Sequence, residues 1–539
     1  MKKIDRRAFL KVMGVSAAAA GLAACGSAST SAGTASSAVT SAAASSAASA
    51  SSSSGALKLA VTTGDGSSTD DKIPTPWYNR RMATNMMFRA LFLADSTLVN
   101  VKPDLASDYK ISDDGLTYTI TLKDGLKWSD GEALTADDVI WSVQTAQAAA
   151  TINPNYATAF SYIDTLTADG SVITMKLKTP YSVMLPVLAQ FAILPKHSLE
   201  KADPLTMDAD PFWTAPVCSG MYCLDELNVG NYFTLKVNEN YEGTKPKIPS
   251  VVVSFVTDDI TAAQSGNADY LYGNGADFVE AMKAMSNYTA NEIDILFYKY
   301  FIFNMKGVDG KENPAMQNVA VRKAIIEAID RSALAGLYPK ATVLNGGVPD
   351  SNEAYNGFVW KYDVEQAKAD LKASGYDMSR TLRVCYYNND QTSIDLINTV
   401  VYYLQQIGLT VEATLSNDGT TDLFTTREYD IGFKGKSAFT MNEWYTEYLS
   451  TDKLFGNIFG GDTSFDASVA KLLASTDTAA RNTVLKDLQT MEQEKVFKVP
   501  MFTVGTYVFI SSSVKLPAGV SFCNPFYMCD LDLANWTLA

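Results

Sequence analysis

Ser112-Asp113-Asp114-Gly115-Leu116-Thr117-Tyr118-Thr119-Ile120-Thr121-Leu122-Lys123-Asp124-Gly125-Leu126-Lys127-Trp128-Ser129-Asp130-Gly131-Glu132-Ala133-Leu134-Thr135-Ala136-Asp137-Asp138-Val139 is the stretch whose reading decides the fold. Leu116, Tyr118, Ile120 and Leu122 alternate with threonines, the period of a strand with one buried face. Asp113-Asp114-Gly115 before it is hairpin punctuation. Gly125 and Gly131 supply two further turns around Trp128. Thr135 then opens a helix, its hydroxyl placed at the N-cap while Asp138 reaches back in a variant of the capping box. Val139, Ile140 and Val143 form that helix's apolar stripe.

Outward from this run the patterns continue. Val321, Ala324, Ile325, Ala328 and Ile329 recur at helical spacing and place one apolar face against a sheet, with Arg322 and Lys323 read as solvated charges mostly off that face. Asp363 and Gln366 cap another helix that stops at Gly375. A strand from Thr381 to Tyr387, a helix from Ser393 to Ile407, a stop at Gly408 and a strand with Leu409, Val411, Ala413 and Leu415 alternating make a β-α-β unit, hence a partly parallel sheet.

The 112–139 run closely resembles the signature of the family 5 extracellular solute-binding proteins, the peptide and nickel receptors of ABC importers. The resemblance extends in order along nearly the whole chain after its N-terminal region. Pro216-Val217-Cys218-Ser219-Gly220-Met221-Tyr222 stands where the family has a Gly-Thr-Gly-Pro-Tyr turn, Phe301-Ile302-Phe303-Asn304-Met305 where it crosses into a second lobe, and Val499-Pro500-Met501-Phe502 where it returns. The implied fold is α/β: a two-lobed, periplasmic-binding-protein-like architecture of the large, three-subdomain class with two hinge crossings. Residues 57–300 with 501–539 would form lobe I, carrying an inserted subdomain at about 96–205, and residues 301–500 lobe II. The implied function is capture of a solute, peptide above all, by hinge closure, and its delivery to permease and ATPase subunits.

The N-terminus fixes the expected location. Lys2, Lys3, Arg6 and Arg7 precede the small, apolar run Val12–Ala24, which is too short for an ordinary spanning helix and reads as an export signal over residues 1–24. Leu22-Ala23-Ala24-Cys25 resembles a bacterial lipobox, which makes Cys25 the lipidated first residue of the mature chain. Arg6-Arg7-Ala8-Phe9-Leu10-Lys11 resembles a twin-arginine motif with Asp5 out of place, so the export route stays open. Residues 25–56 are almost wholly Ser, Ala, Thr and Gly and cannot offset the entropy of ordering. They read as a flexible tether of roughly 30 Å, holding a monomeric receptor on the extracytoplasmic face of the membrane.

Composition excludes other classes. With 27 Tyr and 24 Phe against 19% charged residues, the body is globular rather than disordered. The net charge of −15 becomes −19 once residues 1–24, five basic and one acidic, are removed. Such a surface repels phosphate backbones and anionic headgroups. The single histidine, His197, sits in a structural-looking context without a nucleophile elbow or zinc pattern, so neither an enzyme, a cofactor nor a metal site is expected, and a secreted hydrolase is the rejected alternative. Asp430 and Thr69 break the phosphate-loop and dinucleotide near-matches at Gly432–Ser437 and Gly64–Thr69. Cys218, Cys223, Cys385, Cys523 and Cys529 are compatible with buried thiols or with one or two disulfides.

Ligand contacts follow from the resemblance. Peptide receptors of the family clamp the ligand's α-ammonium with the Asp of a Trp-x-x-Asp segment after a Tyr-Asp-like strand, since a buried cation needs a fixed anion. In Tyr429–Trp444, Lys436 replaces that Trp and Phe439 the Asp. Glu443 is the substitute clamp if the loop is shifted, against a solvated loop carboxylate. Phe439, Thr440, Asn442 and Trp444 are expected in the cleft wall. From elsewhere come Gly64 and Asp65, the Cys218-Ser219-Gly220 turn, and Asn304 at the lobe junction, whose alternative is a structural hydrogen bond. The altered clamp also leaves sugars, opine-like amines, haem and metal chelates open as ligands.

Overall fold

The structure is a computed structural model that describes residues 55–539 except 64–67, 77–81, 150–155, 157–158, 309–313, 439 and 476. Chain order begins with strand β1 (Ala56–Thr62), then the short helix α1 (Met82–Met87). A four-stranded antiparallel sheet follows, built from β2 (Ala106–Ile111), β3 (Thr117–Leu122), β4 (Ile163–Asp169) and β5 (Val172–Leu177) in the order β2-β3-β5-β4. Tyr118, Ile120 and Leu122 of β3 are buried, as their alternation predicts. Helix α2 (Ala136–Ala148) starts where Thr135 N–H donates to Asp138 Oδ2 at 2.8 Å.

The chain then returns to β1 through β6 (Tyr222–Asn228), β7 (Tyr232–Val237), β8 (Ser250–Val256), β9 (Tyr270–Gly273) and β10 (Tyr288–Ile293). With β17 (Thr506–Ser511) from the far end of the chain, these make a seven-stranded sheet ordered β10-β17-β9-β1-β8-β7-β6. Strand β1 runs parallel to β8, Leu57 opposite Val251, while the other partners of β8 and β9 are antiparallel.

A second, six-stranded sheet ordered β12-β16-β11-β15-β13-β14 takes β11 (Leu296–Phe303), β12 (Ala341–Val343), β13 (Thr381–Tyr386), β14 (Thr410–Leu415), β15 (Ile431–Ala438) and β16 (Lys498–Val504). Its helices are α3 (Val319–Glu327), α4 (Val364–Ala373), α5 (Gln391–Gln406), the short α6 (Asn442–Thr446) and α7 (Thr478–Lys495). Strands β13 and β14 pair in parallel around α5, the β-α-β unit expected from sequence. The chain passes between the two large sheets twice, from β10 to β11 and from β16 to β17. Two lobes joined by two adjacent crossings result.

Strand β11 carries the junction's side chains. Tyr298, Tyr300 and Ile302 share an apolar cluster with Leu57, Trp128, Trp444 and Leu485, whereas Phe301 and Phe303 belong to a second cluster confined to residues 301–504. The register of β11 against β16 slips between Lys299 and Tyr300, where Tyr300 faces Pro500 and Lys299 faces Phe502. A proline cannot donate to the ladder, so an interior strand accommodates it at a bulge.

Two sequence expectations need correction, and the alternatives left open for the cysteines are decided. Arg322 is not solvated: it is buried, its Nε donates to Val496 O at 2.9 Å and its Nη2 to Lys495 O at 2.5 Å, satisfying carbonyls at the end of α7. Strand β14 is an edge strand, and its Ala413 and Leu415 are exposed. The cysteines resolve into a Cys523–Cys529 disulfide, with a Cα–Cα distance of 6.2 Å, and free thiols at Cys218, Cys223 and Cys385.

Candidate functional site

The two lobes meet where the carboxyl end of β15 approaches the C-terminal segment 522–531. Tyr527 donates its hydroxyl to Ser437 O at 3.2 Å and Asn524 Nδ2 donates to Ser437 Oγ at 2.9 Å. On the lobe I side, Tyr270, Tyr272, Phe522, Cys523 and Tyr527 line a cavity of about 20 Å³, room for roughly one water. The ring of Phe526 continues this wall, 6.0 Å from Tyr272 and 6.2 Å from Phe297 of β11. Gln190 holds the same segment twice, accepting from Met528 N at 2.6 Å and donating to Met528 O at 2.8 Å.

Helix α6 sits on the lobe II side of this seam. Asn442 Nδ2 donates to Ser182 Oγ at 3.5 Å, and Ser182 N–H donates to Leu473 O at 2.8 Å nearby. Glu443 is half-buried, and after burial its charge is the next cause that pushes up the hydroxyl pKa of Tyr181 and of Tyr527, two residues on the lobe I side. Thr440 is half-buried beside them.

Behind α6 lies a buried ionic network. Lys436 Nζ donates to Glu443 O at 2.7 Å and to Glu447 Oε1 at 2.8 Å, while Lys498 pairs with the other carboxylate oxygen and donates to Trp444 O at 2.7 Å. Burial alone would raise the Glu447 pKa, but the ammonium groups of Lys436, Lys498 and Lys434 outweigh it and hold it at about 2. The lysine that replaces the family's tryptophan thus turns inward and anchors α6. Glu492, pushed up by burial, accepts from Trp444 Nε1 at 2.8 Å, Tyr448 OH at 3.0 Å and Gly347 N at 2.9 Å.

Several candidates fall elsewhere. Trp444 is fully buried, with the Lys498 ammonium 3.7 Å from its ring centroid and its indole N–H spent on Glu492, so it has no face to offer a cleft. Cys218, Ser219 and Gly220 are buried against α1: Ser219 N and Gly220 N both donate to Met87 O, and a Cβ at Gly220 would lie 2.2 Å from Met86 O. Asn304 lies past the end of β11 remote from the crossing, where its Nδ2 donates to Arg427 O and Tyr429 O at 2.9 and 2.8 Å, a structural bond rather than a hinge contact. Cys25, Gly64, Asp65 and Phe439 lie outside the described residues. The aromatic segment 522–527 was not singled out from sequence, and the dense Phe522, Phe526 and Tyr527 spacing is the signal that was there to find it.

A separate concavity of about 460 Å³ opens past the far end of β11, between Lys306, Asp452, Lys453 and Gly461. Among the described residues no group of three His, Cys, Asp or Glu side chains is placed to hold a metal ion, and no helix is long and apolar enough to cross a membrane. His197 pairs with Asp130 at 2.9 Å.

Two lobes, two crossings and a seam lined from both sides define a solute-binding protein of the periplasmic type. The chain belongs to the bacterial extracellular solute-binding proteins, family 5, whose middle-region profile matches residues 100–466. A relative in Brucella ovis, provisionally named an ABC transporter peptide-binding protein, is 27% identical over 339 residues, 60% of this chain and 62% of that protein. The chain therefore matches somewhat less than two thirds of that relative's length. Among solved structures, the oligopeptide-binding protein AppA of Bacillus subtilis in complex with a nonapeptide superposes with a TM-score of 0.72 at 18% identity, covering 90% of this chain and all of AppA. NikA of Brucella suis in complex with Fe(III)-EDTA gives 0.71 at 20% identity, covering 90% of this chain and 99% of NikA. At these identities the shared property is the fold.

Proposed function

We propose that this chain is the extracytoplasmic receptor of an ABC importer, tethered through a lipid on Cys25, and that it captures peptides between its lobes and hands them unaltered to a permease. The crossings fall a few residues from the bounds expected from sequence, so that residues 57–293 with 506–539 act as one lobe and 296–504 as the other. The observation that carries the reading is the pair of adjacent crossings, β10 to β11 and β16 to β17, beside a seam closed by Ser437, Asn524 and Tyr527. Two short neighbouring links permit hinge motion. Closure then buries the ligand's apolar surface against Tyr270, Tyr272 and Phe526, and Glu443 stands where a ligand ammonium would need an anion.

A second reading, an anionic metal chelate as cargo, is favoured by the likeness to NikA with its bound Fe(III)-EDTA. Peptide takes precedence because Glu443 on the seam suits a cationic terminus. A thermal-shift screen of di- to pentapeptides against sugars and metal chelates tests this: a ligand at 100 times its Kd adds about 2.7 kcal/mol of stability. Stabilisation by chelates or sugars and by no peptide would overturn the peptide assignment.

A further inference from the structure

The concavity of about 460 Å³ past the far end of β11 is lined by Lys306, Lys453, Asp452, Asn457, Ser450 and three glycines. Its size falls within the range of small-molecule sites, roughly 300–1,000 Å³. No aliphatic or aromatic side chain lines it, in contrast to the rings along the seam. The fold holds its walls together. Met305 N and Lys306 N both donate to Ile458 O, at 3.1 and 3.2 Å, and a Cβ on Gly456 would lie 2.6 Å from Ser450 O. Gly460 and Gly461 are both left-handed, at φ 73° and 72°, which leaves that wall bare of side chains.

Cations gather here without counterions. Neither the Lys306 nor the Lys453 ammonium has an ion-pair or hydrogen-bond partner among the described residues. Arg427 stands behind Lys306, its Nη1 donating to Lys306 O at 3.3 Å, while its Nε is buried without a partner. Arg427 also takes the left-handed conformation, φ 49°, that favours glycine, and strain of this kind gathers at functional sites. The carboxylate of Asp452 is already engaged, its Oδ1 accepting from Leu454 N at 2.9 Å and from Phe455 N at 2.7 Å. Asp462, next in the chain to Gly461, is paired with Lys495 at 3.5 Å. Lys306, Lys453 and Arg427 against Asp452 leave a local surplus of two positive charges, on a chain whose net charge is −15.

We propose that this concavity is a second binding site, separate from the seam, for a small dissolved polyol or sugar that carries one phosphate monoester. Near neutral pH a monoester is close to a dianion and matches the surplus, with Lys306 and Lys453 as charge-assisted donors to its oxygens. The hydroxyl-bearing remainder suits the polar wall of Asn457, Ser450 and glycine backbone. Apolar side chains of a peptide, or an acyl chain, would find nothing there to bury against. A polyphosphate would exceed the surplus and meet the charge of Asp452. The site is independent of what the seam carries.

The test is calorimetric titration of the full chain with glycerol 3-phosphate, with glycerol as the uncharged polyol and succinate as a dicarboxylate. The wild type should bind one glycerol 3-phosphate and neither of the others. Lys306→Gln and Lys453→Gln should each weaken that binding by about tenfold, the scale of one lost charge-assisted hydrogen bond. Both lysines are exposed, so both variants should melt with the wild type and bind any peptide from the screen with unchanged affinity. A wild type that does not bind glycerol 3-phosphate, binding that is unchanged in both lysine variants, or succinate bound as tightly overturns the proposal. Phosphatidylcholine vesicles with and without phosphatidic acid separate a dissolved solute from a lipid headgroup: capture by the phosphatidic acid vesicles without binding of free glycerol 3-phosphate overturns it too. A peptide screen without a hit overturns the cargo reading and leaves this site standing.

Discussion

Tyr527 donates its phenolic hydrogen to the backbone carbonyl of Ser437 at 3.2 Å, joining residues on opposite lobes. Asn524 donates to the side chain of the same serine at 2.9 Å, so one residue at the end of β15 receives two hydrogen bonds from one loop. Since each protein hydrogen bond contributes about 1 kcal/mol net, the pair biases the lobes toward contact without locking them.

Tyr527→Phe should therefore weaken ligand binding by about fivefold, the equivalent of about 1 kcal/mol, through faster ligand release. Its melting temperature without ligand should stay near that of the wild type. Stopped-flow tryptophan fluorescence with a peptide found in the screen would separate the two rates; an unchanged release rate would exclude a role for this bond in closure.

The same loop is closed by Cys523–Cys529, six positions apart. Loop-closure entropy for so short a ring is worth about 2 kcal/mol. The Cys523→Ser/Cys529→Ser variant should lose about that much in urea denaturation and should bind more weakly, because Asn524 and Tyr527 lose their fixed positions. Full stability in the variant would mean that the Gln190 hydrogen bonds to Met528 suffice to hold the loop.

Glu447 is held at about 2, below an ordinary glutamate, by the lysines around it. The unfolded chain takes up this proton first, so the stabilisation is present above the ordinary carboxylate range and is lost as pH falls toward 2. Glu447→Gln should cost about 3–5 kcal/mol at pH 7 by leaving Lys498 and Lys436 without their anion, and the gap to wild type should narrow at pH 3. Denaturation midpoints at the two pH values decide this.

Lys299 has the opposite sign. Burial lowers its pKa to about 8, with Asp390 opposing and Lys434 adding to the effect. Between about pH 8 and the ordinary lysine range the unfolded chain binds more protons, so this group's destabilisation is fully present below 8 and fades as pH rises. Lys299→Met should stabilise the unliganded protein by about 2–3 kcal/mol at pH 7, a gain that disappears near pH 10.5.

Much of the architecture was legible in the sequence because it is written in local periods. The alternation Tyr118, Ile120, Leu122, the caps at Thr135 and Asp363, and the unit from Thr381 to Leu415 each depend on residues within a few positions of one another. The site was less legible. Asn442 and Glu443 do reach the seam, but Trp444, one residue further along the same short helix, points into the lobe interior toward Glu492. A helix turns about 100° per residue, so a shift of one position exchanges cleft for core, and no local pattern around 436–444 sets that phase.

By itself, the sequence determined the class of fold and the acidic, aromatic-rich body, since these follow from composition, short-range periodicity and a long ordered signature. Only the tertiary structure decided that Ser437 meets Tyr527 across 90 positions, that Gly435 stands opposite Lys299, and that Lys436 turns inward to Glu447. Those pairings depend on strand register and on which charges are denied water, and both are set when distant segments pack together.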